Sequence, residues 1–454
     1  MESRLKVLIV LWCGLSLGWV FAQPAGLLDQ GDRFQREGRL DDALVAWNEF
    51  KQQHPDRLAP YLRTAEALLQ AGRQHDASAE LREALGHPPD STEEAVRLAE
   101  AISKVGNVGI AVGVLEAASR NASLDAAGVW LLADLYYRQR RFDEALATLE
   151  RYRNLPGADI EQAALRKGMV LLEKGALEES MEAFEAAVQR DPNLAAGFHG
   201  LSKVCQYGNN PEAALRMSRE AVRLEPNNGI YLFQLGVVLK VLGQDDEAIR
   251  RLKEAETNGA EAFGISFELG DALRRTGRTG EAREVLARYQ SLLRERRSRQ
   301  EALQLENQGR EQMEKGDVDG ARRTFTRLAE EEPDNWTAHE HLAKIGLSMA
   351  KREEAWSQIQ KMLELDPLSS EAHFLAALHW ADSGRREEAL REALEARRLR
   401  PGNAPLRNLL GNLYFQQRDW PNAVREYAAA SALAPSDAAF KANLESARRR
   451  LDTQ

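Results

Sequence analysis

The chain has little cysteine, few aromatic residues and one long apolar run. Its 454 residues include two cysteines, Cys13 and Cys205. Cys13 follows the bulky Trp12 and the apolar stretch continues beyond it, which argues against a lipid attachment site. If the first 22 residues are removed, Cys205 alone remains, so no intramolecular disulfide can form and packing alone must hold the fold. Cys205 itself is expected to be a buried, inert thiol. Aromatics make up 7% of a chain that is 43% apolar, so the apolar content is rich in alanine, which suits many thin helix contacts better than one thick core. The net charge is −9, and loss of Glu2, Arg4 and Lys6 with a leader would make the chain more negative still, so it is a poor candidate for nucleic-acid binding.

Catalytic signatures are also missing. The sequence has no GxxxxGK[ST] loop, no GxGxxG, no GxSxG and no CxxC pair. His339-Glu340-His341 is not a zinc-protease motif, because its histidines are two apart rather than four. Four of the eight histidines, His339, His341, His373 and His379, fall close together, but residues two apart point to different faces of a helix. Ordinary interhelical hydrogen bonding is therefore expected of them, with no metal and no cofactor.

What the chain does have is a period. Eleven of twelve positions about 34 residues apart, from Ala43, Ala77 and Ala111 to Ala423, are alanine, and the twelfth is Ser180. Twelve residues upstream of each stands a small side chain, among them Gly31, Ala65, Gly168, Ser202, Gly236, Gly270, Gly309 and Gly411. Twelve residues downstream lies proline in eight of the twelve units, whereas Ser123, Gly157, Ala260 and Arg294 stand there in the others. Small residues are needed where two helices of a hairpin cross closely. Glycines such as Gly38, Gly72, Gly175 and Gly384 supply a left-handed helix end, and acidic pairs such as Asp41-Asp42 open the next helix. Proline ends that helix and starts the next unit.

This 34-residue helix–turn–helix, small at its eighth and twentieth positions and proline at its thirty-second, resembles the tetratricopeptide repeat. The resemblance implies an all-α fold, a right-handed superhelix (α-solenoid) with a C-terminal capping helix. Twelve units are expected from Pro24 to Asp437: eight over 24–296, an insertion at 297–301 within a lengthened helix, and four over 302–437. The capping helix covers 438–454, with Phe440, Leu444, Ala447 and Leu451 on one face.

The first 22 residues fall outside the repeats. Arg4 and Lys6 precede the apolar run Val7–Phe21, and Val20-Phe21-Ala22 offers a cleavage site, so a secretory signal peptide is expected. An uncleaved anchor is the alternative. The expected location is the cell envelope, periplasmic or extracellular, with no membrane span once the leader is gone.

In tetratricopeptide proteins the first helix of each unit lines a concave face. Carried onto this chain, the ninth position reads Asp32, Glu66, Glu100 and Asp134 in units one to four, an acidic stripe. The fifth position reads Trp130, Phe233, Phe267 and Phe374, and Tyr137 joins from the twelfth. The resemblance implies a groove for a protein partner whose basic segment meets the carboxylates and whose apolar anchors meet the aromatics. The competing reading makes the carboxylates a solvated face and the aromatics part of the hairpin seam. Leu28 and Asp32 stand where a chaperone-tail clamp would need lysine and asparagine, so that mode of recognition is not expected. The arginine-rich stretch Arg288–Arg299 reads either as a solvated helix or as a basic knob for an anionic partner. The functional expectation is a non-enzymatic scaffold. The alternative is an accessory subunit of polysaccharide export or modification machinery, with Trp130, Asp134 and Tyr137 as a glycan platform.

Overall fold

The computed structural model describes residues 24–453; the expected signal peptide lies outside the described residues. Among these residues there are twenty-four helices, α1 to α24, and no strand. They run as antiparallel pairs, beginning with α1 (Pro24–Arg36) and α2 (Leu40–Gln53), then α3 (Ala59–Gln70) and α4 (Gln74–Ala84). The repeat is visible in the burial pattern. Ala43, Ala77, Ala111, Ala145, Ser180 and Ala248 are fully buried, as is Ala423 near the end of the chain.

The small residue at the eighth position has a specific job. A side chain at Gly168 would collide with Phe184, at Gly236 with Leu252, at Gly270 with Leu286 and at Gly309 with Phe325, each sixteen residues later. Each of these four units therefore seats one large side chain of its second helix on a bare patch of its first. In unit six the same pair is polar: Ser202 and Ser218 share a hydrogen bond of 2.6 Å.

The turn inside each unit is equally regular. The fifteenth residue of every unit has a left-handed backbone: glycine in eight units, and Arg140, Asn209, Ala350 and Arg418 in the other four. Only there can the chain reverse quickly enough to pair the two helices.

The junctions that lack proline are solved in different ways. Gly157 and Gly259 supply left-handed turns after units four and seven. After unit eight the chain does not turn. α16 runs unbroken over Thr279–Glu314 and includes residues 297–301. Its early part packs on α15 (Ala262–Arg275), with Tyr289 against Phe263 and Phe267. Its late part packs on α17 (Val318–Glu331), where Thr324 donates to Gln312 at 2.7 Å. Residues 294–301 between these parts are exposed all round.

The chain divides into two compact units of packing. One spans Ser91–Pro333. The other combines the described residues up to Asp90 with those from Asp334 onward. In the second of these, α2 packs on α23 (Trp420–Leu433), so early and late repeats meet directly. α24 (Ala438–Asp452) closes the series, with its first amides capped by Asp437. It buries Ala447 and packs Leu444 beside Tyr427, whereas Leu451 is exposed.

Candidate partner-binding faces

The first helices carry the residues that the repeat pattern singles out, and they differ in what surrounds them. Asp32 accepts two hydrogen bonds from Arg63 Nε, at 2.8 and 3.1 Å, and one from the Trp47 indole at 3.2 Å. Glu66 lies half-buried in the same packing unit. Glu100 pairs with Lys104 at 2.9 Å, one helical turn on. Asp134 pairs with Arg166 at 2.8 Å. The acidic residues are thus divided between the two packing units, Asp32 and Glu66 in one and Glu100 and Asp134 in the other. Asp32, Glu100 and Asp134 already hold a cation of the same chain. Arg63 and Arg166 both occupy the sixth position of the following unit, a pairing that reading one position at a time does not reveal.

Trp130 and Tyr137 on α7 (Ala126–Arg138) do come together. The Arg166 guanidinium, on α9 (Ile160–Lys174), lies 5.4 Å from the Trp130 ring and 5.5 Å from that of Tyr137 while pairing with Asp134. This is a preformed cation–π cluster. Trp130 also leans on Tyr152 at 5.2 Å. Burial raises the Tyr137 phenol above its ordinary range, an effect to which the neighbouring Glu173 adds. Phe374 packs against the core around Ala377 and Leu410.

A group of exposed apolar side chains lies further along. α9, α11 (Ala195–Tyr207), α13 (Gly229–Val241) and α15 sit side by side. They expose Met169, Tyr207 (64%), Ile230 (59%), Val241 (54%) and Phe267 (47%). Every one occupies a second, fifth, ninth or thirteenth position of its unit. The sequence reading named Phe267 and the half-buried Phe233 but missed the other four. Reading the second and thirteenth positions across units, as was done for the fifth and ninth, would have found Ile230, Tyr207 and Val241. Leu303, at the second position of unit nine, is likewise 56% exposed.

Polar groups border these side chains. Lys240 is held by Glu268 at 2.5 Å and Asp271 at 3.2 Å, with its ammonium 5.9 Å from the Phe267 ring. Lys203, half-buried on α11, has no ion pair among the described residues. Its neighbour His199 leans on Tyr231 at 5.1 Å, and the His199 Nδ1 is buried without a hydrogen-bond partner. Burial and the Lys203 charge push the imidazole down to about 4.

The clustered histidines make separate contacts. His339 Nδ1 meets Gln358 at 2.7 Å, His373 Nδ1 meets Glu392 at 2.7 Å, and His379 stacks on Trp356 at 5.0 Å. Among the described residues, no three metal-ligating side chains converge. Nor is any helix among them long and apolar enough to cross a membrane.

Comparison with known families fits this geometry. A tetratricopeptide repeat model matches residues 28–92, 96–159, 240–300 and 307–355, and a second tetratricopeptide repeat model matches 161–194. The chain belongs to the tetratricopeptide repeat family. No curated protein matches it. Among solved structures it is similar to a "MamA RS-1 ArsTM double mutant", at 18% identity, a TM-score of 0.33, and coverage of 38% of this chain and 96% of that one. It is also similar to the "APC/C hetero-tetramer Cut9-Hcn1", at 11% identity, a TM-score of 0.31, and coverage of 94% and 96%.

Proposed function

We propose that this tetratricopeptide repeat protein is a non-enzymatic scaffold whose first-helix face on α9, α11, α13 and α15 takes a segment of a protein partner. The observation that carries this reading is the run of exposed apolar side chains, Met169, Tyr207, Ile230, Val241 and Phe267, on four adjacent helices. Exposed apolar side chains gathered on neighbouring helices are costly to leave in water and generally mark contact. Tyr207 and Phe267 are the natural anchors, because aromatic side chains bury large area with little loss of rotamer freedom. Lys203, one helical turn before Tyr207 on α11, offers an ammonium without an ion pair among the described residues, so the matching segment is apolar with at least one carboxylate.

A photocrosslinking residue at position 207 or 267 tests this in cells. Adducts with a protein at both positions, and none from a probe at the exposed second-helix residue Val45, are the expected result. Equal labelling from Val45 would defeat the assignment.

In this reading the partner is met in the cell envelope, and the support is the leader-like segment Met1–Ala22. Cell fractionation and N-terminal sequencing of the purified protein check it; a cytoplasmic protein retaining Met1 would remove the proposal. The accessory role in polysaccharide machinery ranks second. Its support is the Trp130–Tyr137 pair with Asp134 between them, but Arg166 lies over both rings, and a sugar would have to displace it.

A further inference from the structure

The second helices of units one and two carry a charged face that is covered by this chain's own late repeats. Lys51 on α2 and Glu80 on α4 are both buried and meet at 2.5 Å. Arg400, in the turn between α21 (Arg386–Leu399) and α22 (Ala404–Gln416), brings its Nε within 3.0 Å of the other Glu80 oxygen and also pairs with Glu83. Arg73 pairs with Asp76 at 2.5 Å and donates to the Leu399 carbonyl at 3.0 Å. Gly402 sits so close to the Lys51 ammonium that a methyl group there would come within 3.1 Å. At the rim, Arg398 pairs with Asp41, and His75 stacks on Trp336 at 3.8 Å.

The charges balance: Lys51, Arg73 and Arg400 against Asp76, Glu80 and Glu83. Holding the joint shut does not require charge, because well-packed apolar residues in place of a buried ion network are often equally stable or better. Charge does something that apolar packing cannot. When the faces part, each is hydrated and soluble, whereas an apolar joint would expose an adhesive patch. Removing one member while the joint stays closed, however, strands a buried charge, which is strongly unfavourable. Such a joint is tight when complete, sensitive to a single substitution, and harmless when open.

We propose that Lys51, Glu80 and Arg400 form a reversible ionic clasp, which docks the turn 400–403 of this chain on the second-helix face of units one and two and frees that face when it opens. The docking site is self-occupied, and its key is a guanidinium inserted at Glu80.

The test uses the full chain with Cys13 and Cys205 replaced by serine and with Asp41→Cys and Arg398→Cys added. A short bismaleimide can bridge positions 41 and 398 only when the clasp is shut. The expected product is a crosslinked single chain. Its rate of formation falls at least roughly tenfold on adding Arg400→Glu and falls progressively with sodium chloride, while circular dichroism shows unchanged helicity. A rate indifferent to both Arg400→Glu and salt would mean a permanent joint and overturn the proposal. Crosslinked dimers would overturn it as well, because the docked turn would then belong to a second copy. If Arg400→Glu loses helicity, the salt series on the chain with Arg400 intact decides between the same outcomes.

Discussion

At the scale of single residues, the repeat spends glycine where the backbone demands it and tolerates other residues at a cost. Ala350 has a φ of 56° at a position where eight other units use glycine. A left-handed backbone costs a residue bearing Cβ about 1–2 kcal/mol, and glycine returns about 0.4–1 kcal/mol of that through its freer unfolded chain. Ala350→Gly is therefore expected to stabilise its hairpin by about 0.5–1 kcal/mol, measured as slower amide exchange in the helices flanking residue 350. Faster exchange there would contradict the account. His199 gives a pH dependence. Its folded pKa is depressed from the ordinary value near 6.5 to about 4, first by burial and then by Lys203. The neutral form is thus favoured in the fold. The stability it contributes is present above pH 6.5 and lost as pH falls from there towards 4, by about 3 kcal/mol at the acid limit. His199→Phe should flatten the stability profile over that window. An imidazole that titrates near 6.5 by NMR would show that the burial argument is wrong. The glycine turns were legible in the sequence because glycine has a single reason to recur at one register. His199 was not, because nothing in its neighbourhood along the chain reports that its Nδ1 is enclosed.

At the scale of helices, the repeat of paired helices was legible from small residues and prolines, because overpacking at a close crossing is penalised in every copy. Ala248 is fully buried where the hairpin helices of unit seven cross, and Leu252 one turn later lies over Gly236. Ala248→Trp should lower the melting temperature of the Ser91–Pro333 unit, with a cost of about 1–3 kcal/mol; an unchanged melt would move the repeat register. The stretch without a proline break is different. Residues 294–301 of α16 are exposed, with Arg296 reaching back over the Phe263 ring at 4.4 Å, so their helix rests mainly on propensity and on pairs such as Arg299 with Glu295 at 3.1 Å. Ser298→Pro removes a helix hydrogen bond at a local cost of about 3 kcal/mol. Because this segment is itself exposed, the expected loss of exchange protection is confined to residues near 298, with α15 and α17 keeping theirs. Loss spreading through both hairpins would show that the bare span transmits stability between them. The acidic stripe shows where a helix-by-helix reading stops. Asp32 and Asp134 are neutralised by Arg63 and Arg166 from the next unit, a relation across helices that registers only when two positions of the repeat are compared.

At the scale of the whole chain, a repeat stack should be stabilised by neighbours along the sequence, yet one packing unit joins residues 24–90 to 334–453. No periodic signal forecasts that pairing. Lys51, Glu80 and Arg400 look like ordinary charges on helix ends, and what makes them special is burial against residues about 320 positions away. The two packing units should consequently respond differently to dissection. Residues 91–333 contain complete hairpins with their own buried clusters, such as the one around Leu232, Ile249, Leu252 and Leu269, and depend on no partner from outside for those contacts. Produced alone, this segment is expected to keep its helicity and melt cooperatively. Residues 24–90 produced alone leave Glu80 beside Lys51 with Arg400 missing and the Leu399 carbonyl gone from Arg73. Two hairpins of that length also fall short of the three or more repeats that such stacks need for stability. That fragment is expected to be largely unfolded, and to gain helicity when mixed with residues 334–453. Circular dichroism of the three fragments, singly and in that pair, decides the matter. A folded 24–90 that gains nothing from 334–453 would show that its stability comes from neighbours along the chain, and an unfolded 91–333 would show that the division into two packing units has no energetic counterpart.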